Sequence, residues 1–85
     1  MELESALKVV RMHRFSGDSK TKAFVDVSLG DFIVKGLRVV EGKNGLFLSM
    51  PQEKSKEGKW YNLFYAATKE AKQVLTSVVL SAYEQ

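Results

Sequence analysis

Three lysines, Lys54, Lys56 and Lys59, are concentrated in the polar segment that follows Pro51. Lysines on an exposed loop can reach phosphate groups without distorting a sheet, and each neutralised phosphate releases counterions. Two glutamates lie among these lysines and weaken the local positive potential. From residue types alone, the segment is either a polyanion-binding loop or a solvated turn, and the solvated turn is the commoner case.

The sequence Gly-Lys-Asn-Gly at residues 42–45 has the spacing of the loop that clamps a nucleic-acid backbone in KH domains. That loop joins two helices, whereas the flanking residues here, Val39-Val40 and Leu46-Phe47-Leu48, are typical of strands. Asn-Gly suits backbone positions that need a positive φ, so we predict a hairpin at Asn44-Gly45. Neither the glycine spacing nor a following helix fits a dinucleotide-binding or P-loop motif.

Catalytic and metal-binding residues are scarce. The single histidine, His13, lies within a strand-like run, and no nucleophile-base or carboxylate-pair pattern can be built around it. With no cysteines and scattered carboxylates, no ligand cluster stands at a recognisable spacing. We therefore predict a protein that is not an enzyme, with no metal, no cofactor and no small-molecule substrate.

The aromatic residues have two interpretations. An aromatic stripe on a strand can stack nucleic-acid bases, but most such stripes belong to a hydrophobic core. We expect four phenylalanines to pack inside: Phe24, Phe32, Phe47 and Phe64. Tyr61 and Tyr65 are the better candidates for base stacking.

Length and composition limit the organisation of the chain. Its 85 residues, of which 45% are hydrophobic, suffice for one small core, so residues 1–85 are expected to form one domain. A core of this size is marginal, and pairing with a second copy is expected to cover apolar surface left open. The absence of cysteine suits a reducing cytoplasm. Residues 1–6 lack signal-peptide features, and no apolar run approaches a membrane span. The net charge of +3 permits a polyanionic partner without requiring one.

Periodicity predicts an α+β fold, with an antiparallel sheet of about five strands followed by one amphipathic helix. Strands are predicted at residues 6–15, 22–29, 32–40, 46–50 and 59–65. Residues 52–59 are predicted to form an exposed loop or a hairpin arm. Gly36 interrupts the third strand and suggests a bulge. From Thr68, a plausible N-cap, an apolar stripe at helical spacing predicts a helix that covers one face of the sheet. Its members are Ala71, Val74, Leu75, Val78, Val79 and Ala82.

Residues 32–51, FIVKGLRVVEGKNGLFLSMP, resemble the central block of the SpoVG family, also known as stage V sporulation protein G. Members of that family carry a Phe-Val-Val-x-x-(Ile/Leu)-Arg-Val-Ile-x-Gly-x-Asn-Gly-Leu-Phe-Val-x-Met-Pro run. The resemblance extends upstream through Lys22-Ala23-Phe24 and downstream through Gly58 to the C-terminal helix. It implies a homodimeric α+β domain and a bacterial cytoplasmic regulator that binds DNA, and RNA in some members, with links to septation, sporulation or gene expression.

The resemblance also implies a binding segment. In the family, the residues after Met-Pro read Ser-Lys-Arg-x-x-x-Gly and are associated with nucleic-acid contact, whereas residues 52–58 here read QEKSKEG. The adjacent Lys-Arg pair is absent, and so is the family's Asp-Ile-Ala-His-Pro segment before the helix. The cations expected to contact the nucleic-acid backbone are Lys54, Lys56, Lys59 and Arg38. The alternative is a protein-interaction module that acts through its dimer or a sheet edge without nucleic-acid binding.

Overall fold

A computed structural model describes residues 6–85 of the chain. A four-stranded antiparallel sheet, in the order β1-β2-β3-β4, is formed by Leu7–Arg14, Thr21–Leu29, Phe32–Gly42 and Gly45–Ser49. Two short strands, β5 at Gln52–Lys54 and β6 at Trp60–Asn62, pair in a separate hairpin. The helix α1 spans Lys69–Tyr83. The α+β class, the antiparallel sheet and the C-terminal helix are thus confirmed.

The helix covers one face of the four-stranded sheet, which we call the inner face. Strand alternation in β2 sends Ala23, Val25 and Val27 to this face, where all three are fully buried. Leu75 and Val79 of α1 are buried against them. Thr68 caps the helix as predicted, since its side-chain oxygen accepts a hydrogen bond from the Ala71 amide. The apolar stripe predicted from the sequence is therefore the stripe that closes the core.

The β2–β3 ladder is irregular at the predicted bulge. The β2–β3 register shifts between Val25 and Val27, where Gly36 of β3 has a φ of +90°. The Asp26 carboxylate accepts a hydrogen bond from the Gly36 amide at 3.4 Å, so this side chain satisfies a donor that the irregular ladder leaves free. An added Cβ on Gly36 would lie 3.5 Å from the Pro51 side chain, which shows how closely the segment after β4 passes over the bulge.

The hairpin between β3 and β4 lies where it was predicted, with one difference in its backbone. Gly42 pairs with Gly45, so Lys43 and Asn44 form the turn. Of the predicted pair Asn44-Gly45, only Gly45 has a positive φ, which is +115°. Glycine has no Cβ and takes this conformation at little steric cost, which leaves Asn44 in an ordinary region.

The expectation of about five strands in one sheet is wrong, because residues 6–85 form six strands in two sheets. The predicted fifth strand, residues 59–65, is shortened to Trp60–Asn62 and does not join the main sheet. It pairs with Gln52–Lys54, so of the two alternatives for residues 52–59 the hairpin arm is confirmed. We call residues 52–62 the arm.

Within residues 6–85, no helix combines the length and apolar character needed to cross a bilayer. The N-terminal segment, in which no signal-peptide feature is expected, lies almost wholly outside the residues that the structure describes.

Candidate functional site

The face of the sheet opposite α1, the outer face, carries a row of side chains across all four strands. His13 of β1 lies opposite Phe24 of β2, Phe24 opposite Arg38 of β3, and Arg38 opposite Ser49 of β4. The Arg38 guanidinium donates a hydrogen bond to the Ser49 hydroxyl at 3.3 Å, which restrains its long side chain over the sheet. An aromatic ring and a guanidinium therefore stand side by side on this face.

The arm rises beside this row and forms a groove with the outer face. Its base is closed by a hydrogen bond from the Leu63 amide to the Pro51 carbonyl at 2.8 Å. The groove has a volume of about 720 Å³, within the roughly 300–1,000 Å³ typical of ligand sites. It is lined by Phe24, Lys35, Gly36, Arg38, Pro51, Gln52, Trp60 and Leu63. Two of these side chains are cationic, and none carries a carboxylate.

The two faces of the arm differ in character. Gln52 pairs with Asn62 and Lys54 with Trp60, and because Gln52 and Trp60 line the groove, register places Lys54 on the groove-facing side. Glu53 and Tyr61 form the intervening pair and point the other way, with the Tyr61 hydroxyl 3.3 Å from the Glu53 carboxylate.

The negative charge of Glu53 raises the pKa of Tyr61, and burial and the hydrogen bond between the two side chains add to the increase. The one acidic residue paired within the arm is thus directed away from the groove and engaged by a tyrosine. The groove-facing side of the arm keeps only neutral and cationic side chains among its paired residues.

The four predicted contact residues lie at three places: one lines the groove, one lies on the groove-facing side of the arm, and two lie at the tip of the arm. Arg38 lines the groove, and Lys54 lies on the groove-facing side of the arm. Lys56 lies in the turn at the tip of the arm, and Lys59 ends that turn, where its amide donates to the Ser55 hydroxyl at 3.1 Å. The tip is therefore an ordered turn that holds these lysines exposed.

The prediction that four phenylalanines pack inside is wrong for three of them. Phe24 is 45% exposed, Phe32 75% and Phe47 48%, whereas Phe64 packs against the core. Phe24 and Phe47 lie on the outer face, which no helix covers, and Phe32 begins β3 at the far end of the β2–β3 hairpin. One helix can bury only one face of a sheet, so these rings stay at the surface.

The sequence did not indicate which aromatic rings line the groove. It favoured Tyr61 and Tyr65 for stacking, yet Tyr61 faces away from the groove and Tyr65 lies with Leu7, Leu29 and Leu75 around a different, apolar depression. Phe24 and Trp60 are the rings that line the groove. The available signal was the alternation in β2, which already put Phe24 on the face opposite Val25.

Two residues at the end of β1 have surface or structural positions. His13 is exposed, and its ring meets Phe15 edge-on with centroids 4.9 Å apart. Arg14 turns to the inner side, where its guanidinium donates to the carbonyls of Ala82 and Tyr83 at the end of α1. Among the described residues, no group of three or more histidine, aspartate or glutamate side chains is placed to hold a metal ion.

Fold and groove together define a class: a small α+β domain with a cationic, aromatic-lined depression on the open face of its sheet. The sequence model of the SpoVG family matches residues 6–85, nearly the whole chain. The chain therefore belongs to the SpoVG family, as the central block of its sequence indicated.

Similar proteins from several organisms carry the name of septation protein SpoVG. A relative from Archaeoglobus fulgidus is 39% identical over 77 residues, covering 89% of this chain and 91% of its own length. One from Lachnospira eligens is 32% identical over 89% of this chain and 88% of its own. One from Symbiobacterium thermophilum is 43% identical over 88% of this chain but 54% of its own length, so this chain spans about half of that protein.

Proposed function

We propose that the chain is a nucleic-acid-binding regulatory protein that binds DNA, and RNA as a second target, and acts as a homodimer. Its relatives are named as septation proteins, and we extend to this chain a role in septation or sporulation through control of gene expression. The observation that carries the proposal is that Arg38 and Lys35 line one groove whose lining has no carboxylate, while register places Lys54 on the groove-facing side of the arm. A polyanion is the partner that complements such a surface.

The exposed apolar residues at one end of the molecule support the homodimer. Phe32 and Ile33 are more than half exposed on the β2–β3 hairpin, as is Tyr65 after the arm. A small domain gains stability when a second copy covers such side chains. A dimer presents two arms to one nucleic acid, so the second contact forms at high effective concentration and two weak sites bind strongly together.

The first test is fluorescence anisotropy of labelled DNA and RNA oligomers, titrated with the protein at low and moderate salt. Binding through backbone phosphates predicts an affinity that falls steeply with salt. The double variant Lys54→Ala/Lys56→Ala should weaken binding and flatten the slope of log K against log salt by roughly 1.4–1.8, because each lost phosphate contact contributes about 0.7–0.9.

A matched control removes the same charge from the other side of the molecule. Lys69→Ala/Lys72→Ala changes two exposed lysines of α1, which lies against the inner face. If the arm makes the contacts, the control should leave both log K and the slope of log K against log salt within about 0.3 of the wild-type values. Equal losses in both double variants would show a diffuse charge effect and remove the arm from the mechanism. Sedimentation analysis of the same samples tests the dimer.

The second candidate is a protein-interaction module. It is favoured by the open edge of β4, which lies at the end of the strand order within the described residues and can accept an added strand. No binding of any oligomer at low salt, from a correctly folded protein, would favour this function over the first.

A further inference from the structure

The groove between the arm and the outer face has features that backbone neutralisation alone does not use. We infer that it binds single-stranded nucleic acid, with bases stacked on Phe24 and Trp60 and phosphates held by Lys35, Arg38 and Lys54. The inference rests on the proposed function, which it deepens by naming the form of nucleic acid and the part of it that is recognised.

The aromatic residues supply the first argument. Trp60 is 64% exposed and Phe24 45% exposed, although burial of either side chain would stabilise so small a domain. Both line the same groove, one from each wall. Phe15 packs edge-on against the Phe24 ring, with centroids 5.2 Å apart and planes at 83°, and so restrains its orientation. Two exposed rings facing one cleft form the platform that single-strand binders use for base stacking.

The cations supply the second argument. Lys35 and Arg38 stand beside Phe24 on the sheet, and Lys54 stands opposite Trp60 on the arm. Each aromatic ring therefore has a cation on a neighbouring position, and a positive groove with stacking rings is what single-strand binders combine. Asp26 of the outer face lines the adjoining depression and accepts a hydrogen bond from the Gly36 amide.

The shape of the nucleic acid follows from these contacts. In a duplex the base faces are stacked on one another, and only base edges and the backbone are open to a protein. Side-chain rings that receive base faces require unstacked bases, as in single strands and loops. The groove should therefore prefer single strands to a duplex of the same sequence, and discriminate little between sequences, since every base has a π face.

The chain provides a direct probe, because Trp60 is its only tryptophan. Titration with an oligothymidine or oligouridine strand should quench the tryptophan emission, with the same midpoint as the anisotropy of the labelled strand. Phe24→Leu and Trp60→Leu keep an apolar side chain but remove the π system. Each should weaken single-strand binding roughly 5- to 150-fold, the cost of one lost stacked base. Trp60→Phe should restore most of the affinity.

Two controls separate stacking in the groove from a loss of fold and from the loss of an exposed ring elsewhere. Phe47→Leu removes a similarly exposed ring that does not line the groove and should leave affinity unchanged. Circular dichroism of each variant verifies the fold, and because Trp60 lies on the exposed arm, its substitution keeps the test valid should Phe24→Leu fail to fold.

The possible results are distinct. Preference for the single strand, quenching, and losses confined to the two groove variants would support the inference. Equal affinity for single strand and duplex, with no quenching and no effect of either leucine variant, would overturn it while leaving the proposed function intact. No binding of single strand or duplex would overturn both.

Discussion

Arg14 joins the edge strand β1 to the last turn of α1, and its removal should destabilise the fold without affecting the groove. Its Nη2 atom lies 3.0 Å from the Ala82 carbonyl, 3.1 Å from the Tyr83 carbonyl and 3.4 Å from the Gln85 carbonyl. The guanidinium carbon is 5.7 Å from the centre of the Tyr83 ring. The last turn of the helix has no basic residue of its own, so Arg14 supplies the cation that a helix C-terminus favours.

The size of the effect follows from these contacts. A cation at a helix C-terminus contributes about 0.3–1 kcal/mol at an exposed site. A cation over an exposed aromatic ring contributes about 0.5–1 kcal/mol more. The hydrogen bonds overlap with the first contribution and are not counted again. Arg14→Met should therefore lower the free energy of unfolding by about 1–2 kcal/mol, which for a domain of this size lowers Tm by about 4–16 °C.

Urea unfolding followed by circular dichroism, at one protein concentration for all variants, measures the loss. Lys8→Met is the matched control, because it removes one positive charge from the same strand, and it should change stability by less than about 0.5 kcal/mol. Arg14→Lys keeps the charge but not the planar fork, and should recover only part of the loss. A stability of Arg14→Met equal to that of the Lys8→Met control would refute the assignment of a capping role to Arg14.

Three further perturbations test other parts of the fold. Gly45→Val forces a β-branched residue into a φ of +115° and should cost about 1–3 kcal/mol in denaturant unfolding, with the affinity of the folded fraction unchanged; an unaltered midpoint would contradict the strain. Leu75→Ala opens the core and should cost about 2–5 kcal/mol, whereas Gln73→Ala on the exposed side of the helix should cost less than about 0.5; similar losses would contradict the helix orientation. Glu53→Gln should lower the pKa of Tyr61 towards its ordinary value in an ultraviolet titration. Because the pKa of Tyr61 is raised in the folded state, any stabilisation from neutral Tyr61 is present below the ordinary tyrosine pKa and is lost as pH rises through the raised value. A Tyr61 titration that is the same in Glu53→Gln as in the wild type would contradict the role of Glu53.

The elements with a local signal could be predicted from the sequence. Thr68 begins the helix because capping is a contact between residues three apart, and a local pattern reveals it. The hairpin before β4 and the bulge at Gly36 were visible for the same reason, since glycine marks backbone positions that other residues avoid. The division of β2 into two faces was also correct, because strand alternation depends only on the chain itself.

The rest depends on contacts between distant residues. The exposure of Phe24 results from how many faces of the sheet a single helix can cover, and hydrophobicity alone pointed the other way. The pairing of β5 with β6 rests on backbone hydrogen bonds between exposed residues, so no apolar pattern marked it. Arg14 and Ala82 are 68 positions apart, and nothing near either residue indicates the other. The groove was missed because it forms only when the arm lies beside the sheet.

The two walls of the groove differ in stiffness. All the residues of β5 and β6 are exposed, whereas the opposite wall is built on strands whose inner side chains form the core. Hydrogen bonds with no buried side chains over them break by local opening, well below the free energy of global unfolding. Amide hydrogens of the arm should therefore exchange with solvent sooner than those of β2. A single-stranded nucleic acid bound in the groove should slow the exchange of the arm amides. In the proposed complex, a flexible wall facing a rigid one would let a single groove fit purines and pyrimidines alike.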